Sequence, residues 1–313
     1  MKHVTMKCLV VMSVALLLFA ASAHAASPSE EPTLAMKIPD PPKTYPPGEL
    51  GKLVKLGEEI FLNTNTHPLT KDLVGNTLTC NSCHLDGGKT KSLGTLIGTA
   101  ASFPAYSPRE KTVQTLQDRN DNCFMRSMNG IRPAIDSQAS LALMAYVSWL
   151  SEGIPLKMND KKPITMFYTK IWPGNEWVVP LIKRSTHENY LAGKRIWEQR
   201  CTECHAEGLW GDQSYNAGAG MSNLNKAPIW ILYNMPLDVP ESTGEKLTQR
   251  EAVDVSLYMN AQPRPDFDLQ KHLPPASEGL YNTAVTKEKH SVRSHFEKFG
   301  LDVDEIRGDK LIP

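Results

Sequence analysis

The sequence has no surplus of either charge and, after its first 25 residues, no long apolar run. Lys and Arg number 34, as do Asp and Glu, so the basic excess that binds nucleic acid electrostatically is missing. With 22% charged and 41% hydrophobic residues, the composition is not that of a disordered polyampholyte. The 313 residues are enough for two domains of ordinary size, and we expect no membrane span in the mature chain.

The first 25 residues have the pattern of a secretory signal. Lys2 and Lys7 form the positive start, an apolar stretch of about 13 residues follows, and Ala23-His24-Ala25 is a small-x-small cleavage site. The alternative, a membrane anchor, would need roughly 20 apolar residues. We therefore predict that residues 1–25 are a signal peptide cleaved near Ala25 and that the mature protein lies in the periplasm.

Cysteine is scarce: the chain has six, and five follow the signal. Four of them share the pattern Cys-x-x-Cys-His, at Cys80-Asn81-Ser82-Cys83-His84 and at Cys201-Thr202-Glu203-Cys204-His205. This is the attachment motif of c-type haem, in which the sulfurs bind the porphyrin vinyl groups and the histidine is the proximal iron ligand. A zinc site or redox dithiols would leave both histidines unexplained. We predict two covalently bound haem c groups.

The residues around the two motifs repeat. Before each motif, a glycine is followed at three and four positions by Ile and an aromatic residue: Gly57, Ile60 and Phe61, then Gly193, Ile196 and Trp197. This spacing predicts a helix whose backbone approaches another helix closely at the glycine. After each motif comes a second amphipathic segment, at 138–151 and, behind a capping box of Thr248 and Glu251, at about 249–260.

Each half therefore has the order helix, haem motif, loop and helix, which is typical of a class I cytochrome c domain. We predict a mainly α-helical fold of two class I cytochrome c-like domains joined by a long linker, each with one covalent haem c. The predicted segments are the signal peptide 1–25, the N-terminal domain 26–152 with haem 1, a Pro-rich and polar linker 153–185, the C-terminal domain 186–265 with haem 2, and an extended tail 266–313 with one short helix near 292–299.

A haem iron needs a sixth ligand unless it is open for small-molecule chemistry. For haem 2 the candidates are Met221, Met235 and Met259, of which Met259 falls inside the closing helix and is expected in the core. Met235 precedes a proline on the segment that leads into that helix, as in class I domains. We therefore predict Met235 as the distal partner of His205, with Met221 as the alternative.

The first half has no Met-Pro, and Cys123, the unpaired cysteine, occupies the matching place. Arg109, Arg119 and Arg126 lie near it in the sequence, and guanidinium groups lower the pKa of a thiol and bind oxyanions. We interpret Cys123 as a haem ligand and reactive thiolate. An intermolecular disulfide, a buried passive thiol, or ligation by one of two nearby methionines, Met125 and Met128, are the alternatives.

Seven short stretches carry a resemblance to a known family: 103–110, 118–120 and 123–130 in the first half, and 209–211, 214–216, 218–221 and 234–236 in the second. They resemble the dihaem thiosulfate dehydrogenases, over roughly residues 45–265. The resemblance implies that haem 1 is the active site and haem 2 an electron relay. The ligand pairs implied are His84 with Cys123 and His205 with Met235, and the implied substrate shell is Arg109, Arg119, Arg126 and Ser127.

The chain departs from the family pattern beside haem 2. His205 and Met235 are only 30 residues apart, a shorter loop than relatives generally have. Asn234 stands where some relatives have a lysine that competes for the iron.

The implied activity is that of an oxidoreductase, a thiosulfate dehydrogenase or tetrathionate reductase. It joins two thiosulfate ions into tetrathionate or runs the reverse reduction, and passes electrons from haem 1 to haem 2 and on to a periplasmic carrier such as a small cytochrome c. Two alternatives are a dihaem electron-transfer cytochrome without a substrate of its own and a haem subunit of a sulfur-oxidising complex.

Overall fold

The computed structural model describes residues 38–107, 109–156, 175–237, 246–274 and 289–309. All of them belong to a single compact unit. The predicted signal peptide and its cleavage site lie outside the described residues, as do most of the predicted linker and part of the predicted tail.

Within these residues the chain forms nine helices of five residues or more and two short antiparallel strand pairs. The helices are α1 Gly48–Leu62, α2 Leu116–Arg126, α3 Gln138–Trp149, α4 Val178–Lys183, α5 His187–Arg200, α6 Ala227–Asn234, α7 Gln249–Ala261, α8 Val292–Glu297 and α9 Val303–Arg307. The strands are β1 Ala105–Ser107 with β2 Thr112–Gln114, and β3 Phe267–Asp268 with β4 Lys289–His290. The predicted mainly α-helical class is confirmed, and no helix of the described residues is long and apolar enough to cross a bilayer.

Helices α1 and α3 cross at Gly57. A Cβ atom added at Gly57 would lie 2.0 Å from the carbonyl oxygen of Ala142, so only glycine allows this approach. Ser137 caps the start of α3, where its hydroxyl accepts a hydrogen bond from the backbone N–H of Ser140. The helix and the close approach at its glycine, both predicted from the sequence, are confirmed.

The same crossing recurs between α5 and α7. A Cβ atom at Gly193 would lie 1.9 Å from the carbonyl oxygen of Asp254 in α7. Thr248 and Glu251 form the predicted capping box at the start of α7, which satisfies backbone N–H groups that have no partner within the helix. The internal repeat of the sequence therefore corresponds to a repeated pair of crossed helices.

The hydrophobic core of the second half includes residues from the linker and the tail. Ile182 of α4, Leu257 of α7, Phe296 of α8 and Ile306 of α9 are buried in one cluster. Helix α8 confirms the one helix expected in the tail, whereas α4 and α9 were not foreseen. The described part of the tail contains the strands β3 and β4 as well as α8 and α9, and the two helices pack on the core of the second half. Its helices are too short to show a periodic pattern and are stabilised by burial against α7.

The strands β1 and β2 form a hairpin ahead of α2. Ser107 pairs with Thr112, so the turn between the strands carries Arg109 and Glu110. The hairpin leads directly into α2, whose start is fixed by a capping box between Thr115 and Asp118. The hairpin turn and α2 therefore bring the residues from 109 to 126 into one region.

Candidate active site

The first Cys-x-x-Cys-His motif holds its histidine in the form that binds iron. The ring Nδ1 of His84 lies 2.7 Å from the carbonyl oxygen of Gly94, and since a carbonyl only accepts, Nδ1 carries the proton and Nε2 is left for a metal. Burial lowers the pKa of His84 to about 4, so the ring is neutral. The two cysteines of this motif, Cys80 and Cys83, are free thiols. This donor set fits a covalently attached haem c.

Cys123 packs against the same core as this motif. Both Cys80 and Cys123 are partly buried there. Burial, and after it the charge of Cys123, raises the pKa of Cys83 to about 12. The sequence suggested a loop at this place, but Cys123 is on helix α2. Its role as an iron ligand stays a prediction.

The two methionines that compete with Cys123 for this iron are placed differently. Met125 is fully buried beside Phe267 and Leu269 of the tail, on the face of α2 that packs against the C-terminal segment. Met128 is buried in the same core as Cys80 and Cys123. Met125 is therefore the less suitable of the two.

Arg119 lies one turn before Cys123 on α2 and contacts its sulfur. Nη1 of Arg119 lies 3.1 Å from Sγ of Cys123, and the charge of Cys123 raises the pKa of Arg119. A guanidinium at hydrogen-bond distance stabilises the thiolate form of a cysteine. Arg119 and Cys123, which the sequence analysis placed in one group, are therefore in direct contact.

A buried carboxylate joins the other two predicted arginines. Oε1 of Glu110 accepts hydrogen bonds from Nε of Arg109 and Nη2 of Arg126, each at 3.0 Å. Glu110 and Arg126 are 1% and 3% exposed, so the ion pair is removed from water. Arg126 also lies over the ring of Phe267, 4.4 Å from its centroid. No pattern in the sequence indicates Glu110 or Phe267, because both contacts depend on the fold.

A lysine of the second half joins this cationic group. Lys226 immediately precedes α6. Lys226 is exposed, and loss of hydration, followed by the positive charges of Arg109 and Arg119, lowers its pKa to about 8. The smaller contribution of the two guanidinium charges indicates that they lie in its vicinity. Lys226 is therefore a further candidate for anion binding that the sequence did not indicate.

Two asparagines bind the end of α2 to a loop of the second half. Nδ2 of Asn76 donates to the carbonyl oxygens of Ser127 and Ser214, at 2.9 and 3.0 Å. Nδ2 of Asn216 donates to the carbonyl oxygen of Met125 at 2.8 Å. Ser127, the last residue predicted for the substrate shell, directly follows α2 and is half-buried. The stretch 214–216 therefore holds the end of α2 in place.

The histidine of the second Cys-x-x-Cys-His motif packs against aromatic side chains. The rings of His205 and Trp197 stack with 5.9 Å between centroids, and burial lowers the pKa of His205, which favours the neutral ring that binds iron. Cys201, Met221 and Met235 all pack against the same cluster of buried residues. Both candidate methionines are thus near this motif, and the choice of Met235 stays a prediction. The closing-helix methionine, Met259, is in the core as expected.

Comparison with known proteins gives one consistent result. A family profile described as SoxA/TsdA, cytochrome c domain, matches residues 71–156. The chain is 34% identical to a thiosulfate dehydrogenase of Thiomonas intermedia (strain K12), over 95% of this chain and 93% of the relative. It is 32% identical to a thiosulfate dehydrogenase of Allochromatium vinosum, over 78% and 89% of the two chains.

A solved structure shows the same likeness. The "as isolated" form of a thiosulfate dehydrogenase from Marichromatium purpuratum superposes with a TM-score of 0.60 and 32% identity, over 72% of this chain. The match spans about half of that longer chain, 49%.

Proposed function

The chain belongs to the thiosulfate dehydrogenase family of cytochromes, and from this membership we propose that it is a periplasmic dihaem enzyme that oxidises two thiosulfate ions to tetrathionate. Membership makes it an oxidoreductase with haem c as cofactor. The observation that carries the proposed chemistry is the sulfur of Cys123, which lies 3.1 Å from the guanidinium of Arg119 and beside the first haem motif.

The proposed arrangement has two class I cytochrome c-like domains with one haem each. Cys80 and Cys83 would hold haem 1 covalently, and His84 and Cys123 would bind its iron. Cys201 and Cys204 would hold haem 2, and His205 with Met235, or alternatively Met221, would bind its iron. The repeated helix crossing at Gly57 and Gly193 supports this arrangement, because each crossing precedes one motif.

The cationic group around Cys123 suits two small dianions. Two thiosulfate ions repel one another and need fixed positive charge to lie side by side. Arg109, Arg119 and Lys226 provide that charge, and Ser127 lies at the end of the same helix. Arg126, paired with Glu110, orients the shell. Guanidinium forks match the geometry of a sulfur oxyanion.

Cys123 provides the nucleophile. Its thiolate forms an S–S bond with the outer sulfur of the first thiosulfate, and two electrons leave in that step. Haem supplies acceptors of one electron each. The second thiosulfate then attacks the outer sulfur now bonded to Cys123, the Cys123 thiolate is released, and tetrathionate departs. The reverse order of these steps describes tetrathionate reduction.

Two haems held at these motifs would supply a route for the electrons, from haem 1 to haem 2 and then to a periplasmic carrier such as a small cytochrome c. Methionine ligation stabilises ferrous iron, so haem 2 is expected to have the higher potential and to accept from haem 1.

The test uses the purified full-length protein. A pyridine haemochrome assay should give two covalent haems per chain, and thiosulfate with an electron acceptor should yield one tetrathionate for every two thiosulfate ions consumed. Spectroelectrochemistry with a parallel tetrathionate assay determines the direction. A dihaem protein that turns over neither ion would contradict the proposed enzyme and favour an electron-transfer cytochrome.

A further inference from the structure

Helix α6 is hydrogen-bonded to the loop that follows the first haem motif. The indole Nε1 of Trp230 donates to the carbonyl oxygen of Cys83 at 3.2 Å, and Nδ2 of Asn234 donates to the carbonyl oxygen of Leu93 at 3.0 Å. The hydroxyl of Ser92 donates to the carbonyl oxygen of Tyr233 at 3.1 Å. Three bonds thus join one short helix of the second half to the segment that runs from Cys83 to Gly94.

Helix α6 also belongs to the hydrophobic cluster beside the second Cys-x-x-Cys-His motif. Ile231 of α6 is buried in the cluster against which Cys201 packs, and Trp230 and Met235 pack there too. Met235 directly follows the last residue of α6. Helix α6 therefore contacts the surroundings of both motifs at once.

Helix α6 and the loop after the first motif approach each other closely at Gly94. A Cβ atom at this residue would lie 3.0 Å from Nε1 of Trp230 and 3.1 Å from the carbonyl oxygen of Cys83. Gly94 has a φ of +95°, a conformation that side chains with a Cβ rarely adopt. Its carbonyl oxygen is the acceptor for Nδ1 of His84. The partner of the proximal histidine therefore lies in the segment that α6 fixes.

These contacts form a continuous path between the two predicted iron ligands. His84 donates to the carbonyl of Gly94, Gly94 is bonded to Leu93, and Leu93 accepts from the side chain of Asn234, which immediately precedes Met235. Asn234 is 5% exposed, and its side-chain amide also donates to the carbonyl oxygen of Trp230 at 2.9 Å. A buried amide with these two bonds holds both the loop and the end of the helix in one position.

We propose that Asn234 is a positioning residue that couples the two haem sites, by fixing the carbonyl that binds His84 and, at the same time, the main chain that presents Met235. The inference rests on the proposed function, because it uses the two ligand pairs given there. Asn234 itself would bind neither iron. It acts by orienting one ligand of each iron, His84 at haem 1 and Met235 at haem 2.

The two haems should respond to loss of this residue in opposite directions. A firm hydrogen bond to Nδ1 makes a histidine ligand more basic and favours the ferric state, so weakening it raises the potential of haem 1. A thioether ligand favours the ferrous state, so loosening Met235 lowers the potential of haem 2. Both changes reduce the driving force for electron transfer from haem 1 to haem 2.

The experiment measures both potentials by spectroelectrochemistry of the full-length holoprotein. Asn234→Asp keeps the size of the side chain but lacks the amide donor. Asn234→Ala removes the whole amide group. Asn63→Ala is the matched control, because its amide also donates to a backbone carbonyl at 3.0 Å, at the end of α1. Trp230→Phe keeps an aromatic ring and the Asn234 bonds but loses the hydrogen bond to the carbonyl of Cys83, so it provides a second measurement if the Asn234 variants fail to fold.

The expected result is an upward shift for haem 1 and a downward shift for haem 2 in both Asn234 variants, with a weaker long-wavelength methionine-to-iron absorption band and no change in the control. An unchanged haem 1 potential in the Asn234 variants and in Trp230→Phe would overturn the coupling. Thiosulfate turnover by the wild-type protein would in that case leave the proposed function standing. A wild-type protein with two haems and no turnover would contradict the function alone.

Discussion

The guanidinium of Arg126 lies over the ring of Phe267, with 4.4 Å between its central carbon and the ring centroid. Through this contact a residue of the tail supports one arginine of the predicted substrate shell. Replacement of Phe267 by Leu keeps an apolar side chain and removes the aromatic face. We expect the KM for thiosulfate to rise about fivefold, because a desolvated cation–π contact contributes ~1 kcal/mol.

The control for this prediction is Phe296→Leu. Phe296 is equally buried in the tail but belongs to the core formed with α7, away from Arg126. This variant should lose stability and keep the wild-type KM. Equal effects of the two substitutions on KM would show that the tail acts only through overall stability.

Cys123→Ala should abolish thiosulfate turnover while both haems stay attached. The variant lacks the sulfur that forms the covalent intermediate, whereas the four motif cysteines remain. Turnover, haem content by pyridine haemochrome and the visible spectrum of haem 1 are the measurements. The spectrum should change because the proposed thiolate ligand is gone. Wild-type turnover in this variant would contradict the mechanism.

Lys226 should make substrate binding depend on pH. Its pKa is lowered to about 8, so the side chain is positive below that pH and loses its charge as the pH rises through it. The KM for thiosulfate of the wild type should therefore rise above about pH 8, and Lys226→Arg, which stays charged, should remove that rise. Lys226→Met should have a KM about tenfold higher at neutral pH, since a charge-assisted hydrogen bond is lost. Lys194→Met, on the exposed face of α5, is the control.

The two methionine candidates for haem 2 are separable by spectroscopy. Met235→Leu should remove the methionine-to-iron absorption band of the ferric protein and lower the potential of haem 2, because leucine offers no thioether. Met221→Leu should leave both unchanged. If the band instead disappears with Met221→Leu, the alternative ligand assignment is correct.

The helix crossings predict two sites where a methyl group is not tolerated. Gly57→Ala and Gly193→Ala would place a Cβ atom within 2.0 Å of a backbone carbonyl oxygen in the partner helix. We expect each to lower the free energy of unfolding by about 3 kcal/mol, measured by urea denaturation, since the helices must move apart. Gly220→Ala, where a Cβ atom would meet nothing within 4 Å, should be close to neutral.

Local patterns predicted the parts of this molecule that depend on neighbours in the sequence. The spacing of Gly57, Ile60 and Phe61 predicted α1 and its close packing, and the pair Thr248 and Glu251 predicted the start of α7. The haem motifs needed no tertiary context, because their five residues are consecutive.

Contacts between distant residues could not be predicted in this way. Glu110 joins Arg109 and Arg126 only because the β1–β2 turn folds back on α2, and the sequence shows no period that reports such a turn. Helix α6 was missed because its first six residues, 227–232, are apolar on every side and show no helical face. The packing of Phe267 against α2 joins residues of the tail and the first half, which only the folded chain brings together.

Asn216, which holds the end of α2, comes 91 residues after Met125, whose carbonyl it binds. A ribosome makes the chain from its N-terminus, so the first haem motif and α2 are complete well before this partner is synthesised. Until residues 214–216 are present, the end of α2 lacks the bonds that hold it. A chain that stops before residue 214 would therefore contain the first Cys-x-x-Cys-His motif and Cys123 but would not hold the end of α2 in its final position.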